Sequence, residues 1–290
     1  MKLTRRWKNF GALFIAAILL GSLCVWTIGG TLVAPANRPI GNPPPDLHAQ
    51  SVEFPSASGA TIHGWLVAGQ PGKGAVVLMH GVHANRLSLV ARAEFLSHAG
   101  YAVLLFDFQG HGESIAKTIT FGFLESRDAT AAAAFVRQKF PGEKIGVIGI
   151  SMGAAAALLA EPPLPVNAMI LESSYPTIYQ ATADRMDDRF GIFGRLVTPL
   201  LICQLKPRLG IRPEDLQPMA RAGKIFIPKL FIAGTADRLT TMQESKELFN
   251  AAAEPKQLWL LDRAGHEDLH AFARAEYERR ILEFFAEKLH

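Results

Sequence analysis

The chain has 290 residues, of which 49% are hydrophobic and 19% charged, enough to bury a full core in one large α/β domain or two small ones. Its net charge of +4 is local: residues 1–40 carry Lys2, Arg5, Arg6, Lys8 and Arg38 with no acid, and the other 25 basic residues face 26 acidic ones. That balance excludes the basic footprint of a nucleic-acid binder.

The first expected element is a membrane helix. Phe10 to Thr31 holds no charged residue, and about 22 residues of helix reach about 33 Å, enough to cross a bilayer core. The basic cluster precedes it and only Arg38 follows closely. The positive-inside rule then predicts a single-pass protein with a cytoplasmic amino terminus and everything beyond Thr31 on the extracytoplasmic side. Trp7 and Trp26 fall near the two ends. The rival is a cleaved signal peptide, because Ala34-Pro35-Ala36 resembles a small-x-small site, although a signal's apolar core is usually only about 7–15 residues. A lipoprotein reading through Cys24 meets Leu23 where a small residue is expected. Two cysteines make no disulfide framework, and Cys24 and Cys203 both read as buried small hydrophobes. Residues 1–34 are thus the anchor. Residues 35–50, rich in Pro, Asn and Gly, read as an extended tether.

From residue 51 to 290 strands and helices alternate. A strand at Thr61–Val67 follows a turn around Ser58-Gly59. Buried strands are expected at Gly74–His80, Tyr101–Asp107, Lys144–Ile150, Ala168–Glu172, Lys229–Ala233 and Gln257–Leu261. Helices are expected at Leu87–Ala99, Leu124–Lys139, from Met152, at Met242–Ala253 and from about Leu269 to Lys288. This order predicts a mostly parallel sheet with helices on both faces and a site at the carboxyl ends of its strands. Between about residues 175 and 223 the alternation breaks. An apolar insertion of that length should carry its own helices, either as a small cap over the site or as an extra packed helix pair.

Gly149-Ile150-Ser151-Met152-Gly153 carries the chemistry. A serine between two glycines, with an apolar run before it and a small-residue helix after it, is the setting of a nucleophile elbow. A serine hydroxyl needs a base, and the base an orienting acid. In the order Ser, Asp, His, the candidates are Ser151, Asp237 in Gly234-Thr-Ala-Asp, and His266 in Ala264-Gly-His, each just past a strand. Glu172 and Asp262 are rival acids. Glu125 and Asp128 read as helix electrostatics or surface solvation. His80 reads as structural. His83, in a nearby loop, and Tyr175, at the start of the insertion, are candidates for touching substrate. His266-Glu-Asp-Leu-His270 also spells H-E-x-x-H, but Gly265 puts His266 at a strand–helix junction, where that zinc motif requires a helix interior.

With His80-Gly81-Val82 and Asp107-Phe-Gln-Gly-His-Gly-Glu-Ser added, the chain from about Val52 to His290 resembles the α/β-hydrolase superfamily. The similarity extends to membrane-anchored bacterial members of the serine aminopeptidase-like and Bem46-like groups. The resemblance implies an α/β-hydrolase fold and an oxyanion hole made by the backbone N–H groups of Val82 and Met152. It also marks Gln109 as a departure from the usual arginine. The expectation is a membrane-tethered serine hydrolase that cleaves an ester, thioester or amide of a small-molecule or lipid acyl substrate, with no metal or organic cofactor. An aminopeptidase-like hydrolase, a non-catalytic binding protein on the same fold and a zinc hydrolase are the alternatives.

Overall fold

The computed structural model describes residues 2–289. It opens with helix α1 (Lys2–Leu32), whose stretch Asn9–Leu32 is, among the described residues, the one helix long and apolar enough to cross a membrane. The strands that follow are β1 (Ala36–Asn37), β2 (Ala49–Pro55), β3 (Thr61–Val67), β4 (Ala75–Met79) and β5 (Ala102–Phe106). After them come β6 (His111–Gly112), β7 (Ile145–Ile150), β8 (Ala168–Glu172), β9 (Lys229–Gly234) and β10 (Lys256–Leu261). Between these strands lie α2 (Val90–His98), α3 (Glu125–Lys139) and α4 (Met152–Leu159). The insertion carries α5 (Ile178–Phe190), α6 (Ile192–Ile202), α7 (Leu205–Leu209) and α8 (Pro218–Ala222). The chain closes with α9 (Met242–Ala251), α10 (Leu269–Phe272) and α11 (Arg274–Leu289).

Eight strands form one sheet in the order β10-β9-β8-β7-β4-β5-β3-β2, parallel except where β3 pairs with β2 and β5. Alternation along β4 explains the two layers. Val77 and Met79 face a core built with Ala132, Ala133 and Val136 of α3 and the alanines of α4. Val76 and Leu78 face the other core, with Phe95 and Leu96 of α2 and Tyr277, Ile281 and Phe285 of α11. A continuous apolar run is what a strand covered on both faces requires. This is an α/β-hydrolase fold, as the alternation of segments predicts.

Three expectations are corrected. The segment 35–50 is packed, not a free tether: β1 pairs in parallel with β6, Leu47 is buried, and Glu113 accepts from the Ile40 and Gly41 N–H groups at 2.9 and 3.0 Å. The prolines of this segment carry no donor, but its Ala36 and Arg38 N–H groups find the Gly110 and Gly112 carbonyls. Cys24 and Cys203 are exposed. Cys24 lies in the stretch Asn9–Cys24, which is exposed throughout, so its apolar neighbours do not form a protein core around it. Glu125 and Asp128 are fully buried, not surface groups. Glu125 accepts from the Thr120 and Gly122 N–H groups and from Gln109 Nε2, which also donates to the Thr118 carbonyl at 3.1 Å. Gln109 therefore pins its loop to α3 without the charge an arginine would bring.

Candidate active site

Ser151 stands between β7 and α4 at φ 50, ψ −109, a positive-φ conformation that costs a side-chain-bearing residue of order 1–3 kcal/mol. The flanking glycines explain how it is held. A Cβ on Gly149 would lie 2.7 Å from Ala154 Cα, and one on Gly153 would lie 2.8 Å from the His80 carbonyl oxygen. The turn can therefore pack tightly against β4 and α4 only without those side chains. The Ser151 N–H donates to the Glu172 carbonyl at 2.8 Å, which fixes the turn to the neighbouring strand.

Asp237 and His266 follow β9 and β10. His266 Nδ1 lies 2.8 Å from Asp237 Oδ2, and Asp237 Oδ1 accepts from the Leu239 and Thr240 N–H groups at 2.8 and 2.9 Å. Asp237 is buried, whereas the His266 ring is 19% exposed. Donation from Nδ1 leaves Nε2 with the lone pair that a general base uses.

Two cavities meet at Ser151. One, of about 240 Å³, runs beneath the insertion and is lined by Phe121, Met152, Tyr175, Ile178 and Met186. The other, of about 330 Å³, is lined by Gly81, Ser88, Ser173, His266 and Glu267. Val82, Ser151 and Arg185 border both. Val82 sits in the loop after β4, where a Cβ on Gly81 would lie 3.6 Å from Ser151 Cβ. Met152 opens α4, so its N–H has no acceptor four residues back within the helix.

The structure thus brings Ser151, Asp237, His266, Val82 and Met152 to one end of the sheet. Of the remaining candidates, His83 lines the apolar cavity at φ 58, and burial, followed by the charge of Arg185, lowers its pKa. Tyr175 lends its ring to the same cavity while its hydroxyl is committed to the Phe121 carbonyl at 2.5 Å. His80 is internal: Nδ1 donates to the Gly81 carbonyl, Nε2 accepts from Phe108 N–H at 3.0 Å, and burial lowers its pKa to about 3.

The rival acid Glu172 is committed elsewhere, 2.9 Å from Arg92 and bonded to the Tyr277 hydroxyl. Asp262, the weaker rival, is exposed. The H-E-x-x-H histidines do not converge. His270 is buried against Glu278 at 2.8 Å, α10 begins only at Leu269, and the described residues contain no cluster of three metal-ligating side chains.

Arg185 is a site residue the sequence does not announce. It projects from α5 into both cavities, where burial lowers its pKa while Asp237 and Tyr175 raise it. On a helix of mixed polarity it reads as one more surface charge. Leu32, at the end of α1, also lines the apolar cavity.

The fold and this constellation define the class: the chain belongs to the α/β-hydrolase superfamily. Within it, the model of the family described as serine aminopeptidase, S33, matches residues 70–207. The uncharacterized protein YqkD of Bacillus subtilis is 28% identical over 235 residues, spanning 80% of this chain and 77% of its own. YfhR of Salmonella typhi, also uncharacterized, is 26% identical over 271 residues, spanning 89% and 88%. Among solved structures, the Pyrococcus furiosus esterase Pf2001 superposes with a TM-score of 0.74 at 26% identity, covering 89% of this chain and 99% of its own. An esterase from Exiguobacterium antarcticum shares the fold at 15% identity and a TM-score of 0.62.

Proposed function

We propose that the chain is a membrane-anchored serine esterase acting through an acyl-enzyme. The observation that carries this reading is the strained Ser151 at the junction of two cavities, with His266 on the wall of one and Asp237 bonded behind it. Ser151 Oγ attacks the acyl carbonyl as His266 takes its proton. The Val82 and Met152 N–H groups receive the oxyanion, and His266 returns the proton to the departing alcohol. Water then repeats the sequence and frees the acid and the serine. The apolar cavity under the insertion, acting as a cap, suits the acyl group, and the polar cavity beside His266 suits the leaving group. The solved relatives that are esterases support an ester over a peptide bond.

The α1 helix acts as a retained anchor that holds the domain on the extracytoplasmic side. The chain after it supports retention, because the Ala36 and Arg38 N–H groups donate to the Gly110 and Gly112 carbonyls at 2.7 and 2.8 Å. The small-x-small site is thus tied into a strand pair.

The test is covalent labelling by a fluorophosphonate probe, with turnover of butyryl esters and aminoacyl anilides measured alongside. Wild-type labelling that Ser151→Ala abolishes is the expected result. Labelling that persists in Ser151→Ala, or activity lost to a chelator, would overturn the assignment, and preference for the anilides would move it to a peptidase.

A further inference from the structure

The α1 helix does not stand clear of the domain. Asn9–Cys24 is exposed throughout, but from Val25 onward one face is shielded: Val25, Ile28, Gly29 and Leu32, at the spacing of a single helix side. What shields it is the insertion. Gln204 Nε2 donates to the Val25 carbonyl at 3.1 Å, and Arg208 donates to the Trp26 carbonyl with its guanidinium 3.8 Å above the indole ring. Gly29 permits the approach, since a Cβ there would fall 2.9 Å from the Gln204 amide carbon.

This docked face leads to the site. A small cavity of about 30 Å³ lies between α1 and the insertion, bordered by Gly29, Leu201 and Leu205. It shares Leu32, Phe121, Ile178 and Thr182 with the larger cavity at Ser151. The two therefore lie side by side, separated by those four side chains, between the anchor helix and the serine.

Helix length sets the depth of these cavities. The exposed stretch Asn9–Cys24 is about 16 residues, or about 24 Å at 1.5 Å per residue, short of a hydrocarbon core of about 30 Å. The docked turns must supply the remaining thickness, which brings the insertion down to the membrane surface. There α6, which packs on α1, turns Leu196 and Leu200 outward, 73% and 53% exposed and one helical turn apart. Paired leucines beside a spanning helix fit the boundary between headgroups and acyl chains.

We propose that the groove between α1 and the insertion admits the acyl chain of a bilayer-resident lipid ester sideways to Ser151, making the anchor one wall of the substrate site. This rests on the hydrolase reading above, and deepens it by naming where the substrate resides.

The experiment uses the full-length chain in phosphatidylcholine vesicles carrying a monoacylglycerol with a diazirine at its chain end. Illumination of the Ser151→Ala variant should crosslink the lipid to peptides spanning residues 25–33 and 198–209. Leu32→Trp and Thr182→Phe, from two different elements, should each weaken that crosslink. Both should also lower the ratio of dodecanoyl-ester to butyryl-ester kcat/KM by about tenfold or more, as expected when a chain-binding passage narrows. Crosslinks absent from both peptides, or a ratio unmoved in both variants, would overturn the proposal. Crosslinks that persist in a protein whose wild type never reacts with a fluorophosphonate would uphold the lipid groove and sink the esterase assignment instead.

Discussion

Glu172 ends β8 and Asp237 follows the neighbouring β9, yet only Asp237 meets His266, at 2.8 Å, while Glu172 is bound by Arg92 and Tyr277. The same side-chain chemistry at the same end of the sheet therefore serves two different purposes. Exchanging each carboxylate for its amide separates them. Asp237→Asn should lower kcat by about 10⁴-fold with the fold intact, because the amide can present its NH₂ to His266 and favour the wrong tautomer. Circular dichroism and steady-state kinetics on the purified variant read both quantities.

Glu172→Gln should do the reverse. It leaves the buried Arg92 and Tyr277 facing a neutral partner, although Arg92 keeps Asp268 at 2.8 Å. Destabilisation near the lower end of the range for breaking a buried pair, about 3 kcal/mol, is expected in urea titration. Activity per folded molecule should change little. A variant that is stable but inactive would restore Glu172 as the catalytic acid.

Gly149→Ala and Gly153→Ala test the elbow. Each new methyl would meet backbone rather than a flexible side chain, so the turn must move. A loss of about 1–3 kcal/mol is expected from the overpacking, together with slower fluorophosphonate labelling as Ser151 leaves its strained pose. Unchanged labelling rates in both variants would show that the strain plays no part in reactivity.

The sheet was legible because its strands are buried on both faces, so β4, β5, β7 and β9 read as uninterrupted apolar runs bounded by turn residues. Ser151, Asp237 and His266 were legible for a related reason: each follows a strand within a few residues, and the order of those strands places them at one end of a parallel sheet. What sequence does not express is contact between distant segments. Glu125 and Asp128 look like ordinary first-turn helix acids, and it takes the loop after β5, folding back with Gln109, and Ser56 of the turn after β2 to bury them. The segment 35–50 has the composition of a linker, and its pairing with His111–Gly112 depends on where α1 delivers the chain. Leu32 looks like the end of a membrane span. Nothing local marks it as a wall of a cavity 119 residues away from its serine in sequence.

Gln109→Leu probes the loop after β5 that Gln109 ties to α3. The substitution removes two donated hydrogen bonds and leaves a buried carboxylate on Glu125 with one partner fewer. Thermal denaturation should report a loss of about 1–3 kcal/mol. Because Gln109 does not line either cavity at Ser151, butyryl-ester kinetics of the folded fraction should be preserved.

The junction of α5 with α9 should make stability fall between about pH 4 and pH 8. Asp184 of α5 has a buried Oδ2 and faces Glu244, which already accepts from the Thr241 N–H at 2.8 Å. Burial, then the hydrogen bond and like charge of Glu244, push the Asp184 pKa up to about 8. A carboxyl raised this far above its unfolded value of about 3.9 keeps its proton in the folded state where the unfolded chain has lost it. Its contribution is therefore complete below about pH 4, declines as pH rises, and is gone above about pH 8. Melting temperature should fall progressively across that window as the pair ionises and α5 is pushed from α9. Asp184→Asn removes the titration and can donate to Glu244, so it should flatten the profile and be the more stable form above pH 8. Parallel profiles for the two proteins would show that the α5–α9 junction holds no shared proton.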